Sequence, residues 1–202
     1  MEAKEHRKNP MPNANLPALD FLLSRRSRPA KTLSLPVPDK HDLKTILTAA
    51  ARTPDHGKLE PWRFIVLERA ALTRLSLEIA GVGARLGKTP EEIEKARSQY
   101  ADAHLAVVVV SSPVESPKVP VAEQVLSAGA VCLSLLNAAL ASGWGANWLS
   151  GWASHDRAFV ETHLGLSGTE TVAGLIHIGT ETSAPPERPR PDIDAKTEWV
   201  VQ

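Results

Sequence analysis

The sequence predicts one domain of the α/β or α+β class, in which helices cover a single sheet. Segments with helical spacing of apolar residues alternate along the chain with short apolar runs typical of strands. The chain has 202 residues, of which 43% are hydrophobic, enough for one sizeable core and too few for two. No internal repeat is visible in the sequence.

The amino-terminal part predicts a leader followed by two helices. Residues 1–13 carry charges and prolines without an apolar period, so we expect a mobile leader and a domain over 14–202. The first helix begins near Pro17 and runs into Arg25, Arg26 and Ser27. A second helix begins after Asp39 as its N-cap and delivers Arg52 in its last turn.

The middle of the chain predicts two strands and two helices. The aromatic and β-branched run 62–67 is expected to form a buried strand, and 71–86 returns to helical spacing. Thr89 and Glu92 form a capping box for a helix that reaches about residue 100. The uninterrupted apolar run 105–110 predicts a central strand.

The longest predicted helix spans 121–142 and is apolar around most of its circumference. Its small residues 127–130 suit either the domain core or a subunit interface. A short strand at 147–149, a helix at 154–163 and a strand at 172–178 follow.

Four prolines make the segment 183–192 an extended, solvated arm. The arm ends on Trp199, Val200 and Val201, an apolar segment expected to pair as a strand away from its own core, for example with a second subunit. We therefore treat 183–202 as a carboxyl-terminal arm.

Composition favours a small-molecule partner over nucleic acid or a membrane. Lys plus Arg equals Asp plus Glu at 23 each, so no net field attracts polyanions. The amino terminus lacks the apolar core of a signal peptide, and the run 125–140 is shorter than the roughly 20 residues that span a bilayer. The single Cys132 excludes an internal disulfide, and we expect a cytoplasmic protein without a metal site.

Several common catalytic motifs are missing from the sequence. It contains no Gly-x-Gly-x-x-Gly after a strand, no phosphate-binding loop of the Walker type, no His-Glu-x-x-His and no nucleophile elbow. A Rossmann dinucleotide site, an NTPase and a zinc protease are therefore disfavoured.

Three polar clusters remain as candidate sites. Residues 25–27 offer two guanidinium groups and a hydroxyl, which suit a phosphate dianion but also suit the capping of a helix end. Residues 52–63 form a short proline-bracketed loop in which His56 is either a ligand-binding or a surface residue. Residues 143–152 hold three tryptophans and three glycines, which can cover a flat ligand and let backbone N–H groups approach it.

Together these clusters resemble the nitroreductase family, most closely its small single-domain branch of NAD(P)H nitroreductases. The specific part is the signature Arg52-x-Pro54-Asp55-His56 followed by Pro61-Trp62. The matching segments keep their order and spacing from about residue 16 to 180, and they are Leu23–Ser27, Ala50–Phe64, Glu123–Gly129 and Trp148–Gly151.

The resemblance implies an α+β fold with a mainly antiparallel or mixed sheet, and a homodimer with one FMN at each of two sites in the subunit interface. By that likeness the arm embraces the partner subunit. The site residues would be Arg25, Arg26 and Ser27 at the FMN phosphate and ribityl end, Arg52 and His56 in contact with the cofactor, and Leu149, Ser150 and Gly151 lining it through backbone groups.

The implied reaction transfers electrons from NADH or NADPH through FMN to an organic acceptor, such as a nitroaromatic or a quinone, with ping-pong kinetics. No residue is expected to act as a general base or covalent nucleophile. Leu149 stands where a related member of the family has an arginine, and Arg188 or Arg190 in the arm could compensate for that charge.

Three other functions remain open at this point. They are a flavin carrier or sensor without turnover, dehalogenation or flavin breakdown on the same scaffold, and an interaction protein without a cofactor.

Overall fold

A computed structural model describes residues 13–201 of the chain. Residues 1–12 of the predicted leader, and Gln202, lie outside the described residues. The helices and strands, in chain order, are α1 (Leu16–Ser24), β1 (Leu33–Ser34), α2 (Lys40–Ala50), β2 (Trp62–Glu68), α3 (Arg69–Arg85), α4 (Pro90–Ala101), β3 (Leu105–Ser111), α5 (Val121–Ala141), β4 (Gly145–Leu149), α6 (Trp152–His155), α7 (Arg157–Leu164) and β5 (Thr171–Glu181). Short 3₁₀ turns lie at Ala30–Thr32, His56–Lys58 and Asp194–Lys196.

The five strands form one sheet that is antiparallel in every described pair. Strand β5 pairs with β1, β3 and β4, and β2 lies beyond β3 at one edge. A register shift between Val109 and Val110 places a bulge in the β3–β5 ladder. The predicted α+β class with a mainly antiparallel sheet is therefore confirmed.

Strand β3 separates two hydrophobic cores, because all seven of its residues are buried. Its alternate side chains point to opposite faces, so Ala106, Val108 and Val110 join one core while Val107 and Val109 join the other. The first core is covered by α3, α4, α6 and α7, and the second by α2 and α5.

Local signals predicted the helix starts well. The Asp39 carboxylate accepts a hydrogen bond from the backbone N–H of Asp42 at 2.8 Å, as an N-cap does. Thr89 and Glu92 complete both bonds of the predicted capping box, at 3.2 and 3.0 Å. Helix α4 lies close against α3, since a Cβ built on Gly83 would meet the Ile93 side chain at 2.4 Å.

Helix α5 ends at Ala141, one residue before the end predicted for it. It has 21 residues, and it is the one helix within 13–201 whose length and composition would allow it to cross a membrane. Eight of its residues are nevertheless buried, and five of these, Val131, Cys132, Leu135, Leu136 and Ala139, belong to the second core, as expected of a core helix. Leu126 and Leu133 remain 73% and 45% exposed on its outer side, and Val121 and Val125, near its amino-terminal end, are 57% and 47% exposed.

The sequence left open whether the small residues 127–130 belong to the domain core or to a subunit interface. Ser127 and Ala128 are 7% and 0% exposed and belong to the interior. Ala130 is exposed on the outer side of α5. The core interpretation therefore holds for the first two residues of this segment.

Several predicted elements differ from the structure, among them the strand expected over 147–149, which begins at Gly145. The single helix expected over 154–163 is two helices, because Asp156 ends α6 and its carboxylate accepts the Phe159 N–H at 2.9 Å as the N-cap of α7. Strand β2 is half-buried rather than buried, because it is the edge strand and pairs only with β3. Strand β5 extends from 171 to 181 rather than from 172 to 178, because its far end also pairs with β1 and β4.

The carboxyl-terminal arm is extended apart from the turn Asp194–Lys196. Its apolar end forms no strand in the described single chain, and Trp199, Val200 and Val201 are 84%, 79% and 87% exposed. The pairing of this segment with a second subunit stays a prediction.

Candidate functional site

The arginine cluster lies where the chain leaves α1 and meets the start of β4. Arg25 Nη2 donates a hydrogen bond to Ser27 Oγ at 3.1 Å, and Arg26 Nη2 donates one to the carbonyl of Pro186 at 2.8 Å. The Arg28 N–H donates to the carbonyl of Ala146 at 2.8 Å, which ties the cluster to β4. A cavity of about 330 Å³ is lined by Arg25, Arg26 and Arg28.

Positive charge is concentrated in this cluster beyond what its own acceptors satisfy. Burial lowers the pKa of Arg25, and the nearby Arg190, Arg26 and Arg28 lower it further. The Nε atoms of Arg25, Arg26 and Arg28 are buried and have no hydrogen-bond partner among the described residues. Arg28 Nε lies 2.8 Å from a Glu181 carboxylate oxygen, but without the alignment of a hydrogen bond.

These unmet donors fit a phosphate group. Guanidinium groups donate several hydrogen bonds in a fixed planar arrangement, and a dianion would both accept those bonds and offset the mutual repulsion of the cations. The alternative for these residues was the capping of the helix end by their side chains. At the end of α1 it is the Arg25 backbone N–H, and not its guanidinium group, that donates a hydrogen bond to the Phe21 carbonyl at 2.8 Å.

The second cluster follows α2, which ends two residues earlier than predicted. Helix α2 ends at Ala50, and the Arg52 N–H bonds to the Ala49 carbonyl at 3.2 Å in the turn that follows. The Arg52 side chain is exposed and lines a shallow depression beside Lys44 and Thr48 on α2. The prediction that Arg52 sits in the last helical turn is therefore wrong by two residues.

The loop around His56 is held by α5 and carries backbone strain. Ser127 Oγ donates to the Pro54 carbonyl at 2.9 Å and accepts from Trp62 Nε1 at 3.3 Å, so one side chain joins both ends of the loop. Lys58 and Glu60 have φ angles of 55° and 48°, a left-handed conformation that costs about 1–2 kcal/mol for residues other than glycine. Such strain is common at functional sites.

His56 points to the first turn of α5. Its Nδ1 lies 2.6 Å from a carboxylate oxygen of Glu123, and both side chains are about half exposed, at 59% and 48%. The imidazole is thus oriented, and its other nitrogen is left for a ligand. Glu123 was part of the matched sequence segment, but no local signal showed that it would contact a residue 67 positions away.

The third cluster lies at the carboxyl end of β4. Leu149 ends the strand, Ser150 Oγ lies 2.8 Å from His155 Nε2, and Gly151 is the N-cap of α6. A depression of about 410 Å³ is lined by these three residues together with Lys95 and Gln99 of α4. His155, Lys95 and Gln99 were not predicted, since nothing in the sequence brings α4 to this strand end.

One chain does not bring all three clusters together. The arginine cluster and Leu149 lie at opposite ends of β4, about 14 Å apart along the strand. Leu140 of α5 lines the arginine cavity, whereas Glu123 of α5 holds His56. The 17 residues between them correspond to about 26 Å of helix. Arg25 and His56 of one chain are therefore too far apart to contact the same small ligand end.

Arg190 joins the arginine cluster from the arm. Its Nη2 lies 3.5 Å from the carbonyl oxygen of Arg25, at the limit of a hydrogen bond. Arg188, the other arginine considered as a substitute for the charge missing at Leu149, is exposed on the arm. Of the two, Arg190 is the one that reaches the predicted phosphate end.

A family model described as the nitroreductase family matches residues 22–180. That range contains all three clusters. The chain belongs to the nitroreductase family. The family predicted from the sequence is thereby confirmed.

Two curated relatives cover most of the chain. YdjA of Escherichia coli (strain K12), a candidate NAD(P)H nitroreductase, is 35% identical over 163 residues, which are 81% of this chain and 87% of YdjA. A candidate NAD(P)H nitroreductase of Haemophilus influenzae is 38% identical over 166 residues, or 81% of this chain and 88% of the relative.

Solved structures of the nitroreductase family share the fold. A nitroreductase-like protein from Bacillus cereus superposes with a TM-score of 0.75 at 23% identity and covers 96% of this chain and 100% of its own. A nitroreductase with bound FMN from Bacteroides fragilis has a TM-score of 0.68 at 22% identity, covering 91% and 98%. At these identities the likeness establishes the fold alone.

Proposed function

We propose that this chain is an FMN-dependent oxidoreductase that transfers electrons from NAD(P)H to an organic acceptor such as a nitroaromatic or a quinone. The observation that carries the proposal is the arginine cluster, because the buried Nε atoms of Arg25 and Arg26 have no partner among the described residues and suit a phosphate group. The candidate activity of the curated relatives and the FMN named in the Bacteroides fragilis structure support it.

The residues present fit FMN. Arg25, Arg26 and Ser27 would hold the phosphate and ribityl end, and Arg190 would add a fourth group from the arm. Leu149, Ser150 and Gly151, one strand length away, would line the ring through backbone groups. The roughly 14 Å between the two ends suits an elongated cofactor better than a compact one.

Bound FMN would accept hydride from NAD(P)H and pass the electrons to the acceptor, so the two substrates would react in alternation, as in ping-pong kinetics. Arg52 keeps its positive charge at any physiological pH, and a fixed cation near the ring favours the reduced, more negative cofactor. His56, oriented by Glu123, would add a hydrogen bond. None of these roles requires a general base or a nucleophile.

The separation of the two clusters by about 26 Å along α5 supports a homodimer. If two copies pack with their α5 helices antiparallel, the amino-terminal end of one α5 meets the carboxyl-terminal end of the other. His56 of the partner subunit would then approach the arginine cluster of the first. The exposed Val121, Val125, Leu126 and Leu133 supply the apolar surface for that contact.

The test is an absorbance spectrum of the purified protein after incubation with FMN and removal of free flavin. We expect the protein to retain FMN. Its absorbance at roughly 450 nm should disappear on anaerobic addition of NADH or NADPH and return with a nitroaromatic. Retained flavin that neither donor reduces would favour a carrier or sensor. Absence of retained flavin would overturn the assignment of the site. Parallel lines in double-reciprocal plots would support the ping-pong scheme.

A further inference from the structure

A second cavity adjoins the Ser150–Gly151 depression. It has a volume of about 240 Å³ and is lined by residues of the turn Ala30–Thr32, of helix α4 and of strands β4 and β5. Lys95, Gln99 and Leu149 line both this cavity and the depression beside Ser150. A ligand here would therefore lie next to the segment proposed to line FMN.

His177 forms the floor of this cavity and has no evident packing role. It lies in the middle of β5, is 2% exposed, and its Nε2 has no hydrogen-bond partner among the described residues. Its neighbours on the same face of the sheet, Leu175 on β5 and Ala106 opposite it on β3, are buried and apolar, so the β3 side of this face does not call for a polar side chain. A buried polar atom without a partner is costly, and a ligand atom can satisfy it.

Burial keeps this imidazole neutral. Desolvation lowers the pKa of His177 to about 4, so at pH 7 the ring carries one N–H donor and no charge. As the Nε2–H tautomer it can donate one hydrogen bond to an oxygen atom in the cavity.

The wall of the cavity has more positive than negative charge. Lys31 and Lys95 line it, and neither ammonium group has an ion-pair partner within residues 13–201. Asp102 is the single carboxylate in the lining. Glu92, which lines the neighbouring depression, is already bonded to Lys88 and to the Thr89 N–H. Two unpaired cations against one carboxylate favour an anionic ligand.

We propose that this cavity binds the carboxylate of an aromatic electron acceptor, with Lys31 and Lys95 facing its charge and His177 donating a hydrogen bond to one of its oxygens. The inference rests on the proposed function and narrows its acceptor to small aromatic molecules that carry a carboxylate. It concerns binding alone and adds no step to the electron transfer.

The test compares 4-nitrobenzoate with 4-nitrobenzamide, a neutral acceptor of nearly the same shape, in the FMN-loaded enzyme. We expect a kcat/KM about tenfold higher for the carboxylate, and loss of this preference in Lys31→Gln and Lys95→Gln through a higher KM for 4-nitrobenzoate alone. Lys40→Gln, which removes the same charge from the start of α2, is the matched control and should keep the preference.

A second readout does not depend on turnover. Benzoate, which accepts no electrons, should shift the ¹⁵N resonances of the His177 ring, and benzamide should not. The shift should weaken in Lys95→Gln and stay in Lys40→Gln. An unchanged His177 signal with saturating benzoate would overturn the inference, since the imidazole would then be satisfied by solvent alone.

The two proposals fail in different ways. Equal kcat/KM for the two nitro compounds, in an enzyme that retains FMN and is reduced by NAD(P)H, would overturn the acceptor assignment and leave the reductase intact. Failure to retain FMN would overturn the reductase, whereas the benzoate measurement on His177 would still decide the cavity.

Discussion

Arg190 Nη2 lies 3.5 Å from the carbonyl oxygen of Arg25, which joins residues 165 positions apart in the sequence. The contact places a fourth guanidinium group at a cluster that already contains three. Glu181 pairs with Arg28 at 2.8 Å and Glu187 with Arg190 at 3.1 Å, so two carboxylates face four guanidinium groups, and the remaining like charges repel each other unless a further anion lies between them. The relationship therefore supports a phosphate site to which the arm contributes.

Replacement of Arg190 by Ala should weaken FMN binding about tenfold, or ~1.4 kcal/mol, because one charge-assisted contact to the phosphate is lost. Arg188→Ala, two residues away on the same exposed arm, should change the FMN Kd less than twofold. Fluorescence quenching of FMN on titration with each variant measures both constants. Equal Kd values for the wild type and Arg190→Ala would contradict a role for the arm at the phosphate.

Features set by neighbouring residues were predictable from the sequence. The Asp39 N-cap, the Thr89–Glu92 capping box and the fully buried β3 depend on chemistry within a few positions, and the structure has all three. The break at Asp156 was missed although its N-cap bond to the Phe159 N–H is local, whereas its pairing with Arg85 at 2.7 Å, 71 positions distant, has no sequence signal.

The candidate site was predictable in its parts but not in its assembly. The three clusters were found from residue types, yet the pairing of His56 with Glu123 and the position of Arg190 depend on how helices and the arm pack. His177 was passed over because a single histidine in an apolar strand gives no signal until its surroundings are known. Arg28 was missed although it directly follows the predicted cluster.

The outer face of α5 can be tested with one charge. Leu126→Glu places a carboxylate on the proposed interface, so we expect a monomer at micromolar concentration and loss of retained FMN. Leu77→Glu on α3 is the matched control, because Leu77 is 74% exposed and Leu126 is 73% exposed. Light scattering and the flavin content of the purified variants report both effects. A dimer that persists in Leu126→Glu would place the interface elsewhere.

The Glu123→Ala variant tests whether the His56–Glu123 pair serves FMN binding or the stability of the fold. The His56–Glu123 pair is about half exposed, and such pairs contribute less than about 1 kcal/mol to folding. The thermal midpoint should therefore change little, while FMN affinity should fall several-fold because His56 loses its orientation. Glu94→Ala, which removes a similarly exposed partner of Arg97, is the control. Parallel losses of FMN affinity in the two variants would argue against the role of His56.

Glu170→Gln should destabilise the fold by about 2 kcal/mol at neutral pH, after allowance for the 40% exposure of its partner. Glu170 accepts two hydrogen bonds from Arg63, at 2.7 and 2.8 Å, and one from Ser112 at 2.9 Å. The bond from Arg63 is the main cause that lowers the Glu170 pKa to about 2.

Because the folded pKa is depressed, this stabilisation is present above pH 4.5 and is lost as the pH falls towards 2. Urea denaturation at pH 7 and at pH 3 should show the cost of Glu170→Gln shrinking at the lower pH. Glu161→Gln, which removes the 47% exposed partner of Arg157, should cost less than about 0.5 kcal/mol at either pH.

His177 should make the protein sensitive to mild acid. Its folded pKa of about 4 lies below the 6.5 of a free histidine, so between these values the unfolded chain binds more protons than the folded one. Stability is complete above pH 6.5 and falls as the pH drops towards 4, by a total on the order of 3 kcal/mol. The sign is opposite to that of a histidine stabilised by a carboxylate partner.

His177→Leu should remove most of this acid sensitivity, because leucine has no proton to bind and the neighbouring strand positions are aliphatic. The free energy of unfolding, measured in urea at pH 7 and pH 5, should therefore differ less in the variant than in the wild type. His41→Gln, at an exposed histidine in the first turn of α2, should leave the wild-type difference unchanged. If all three proteins lose the same stability between pH 7 and 5, His177 is solvated rather than buried, and its cavity is larger than the structure indicates.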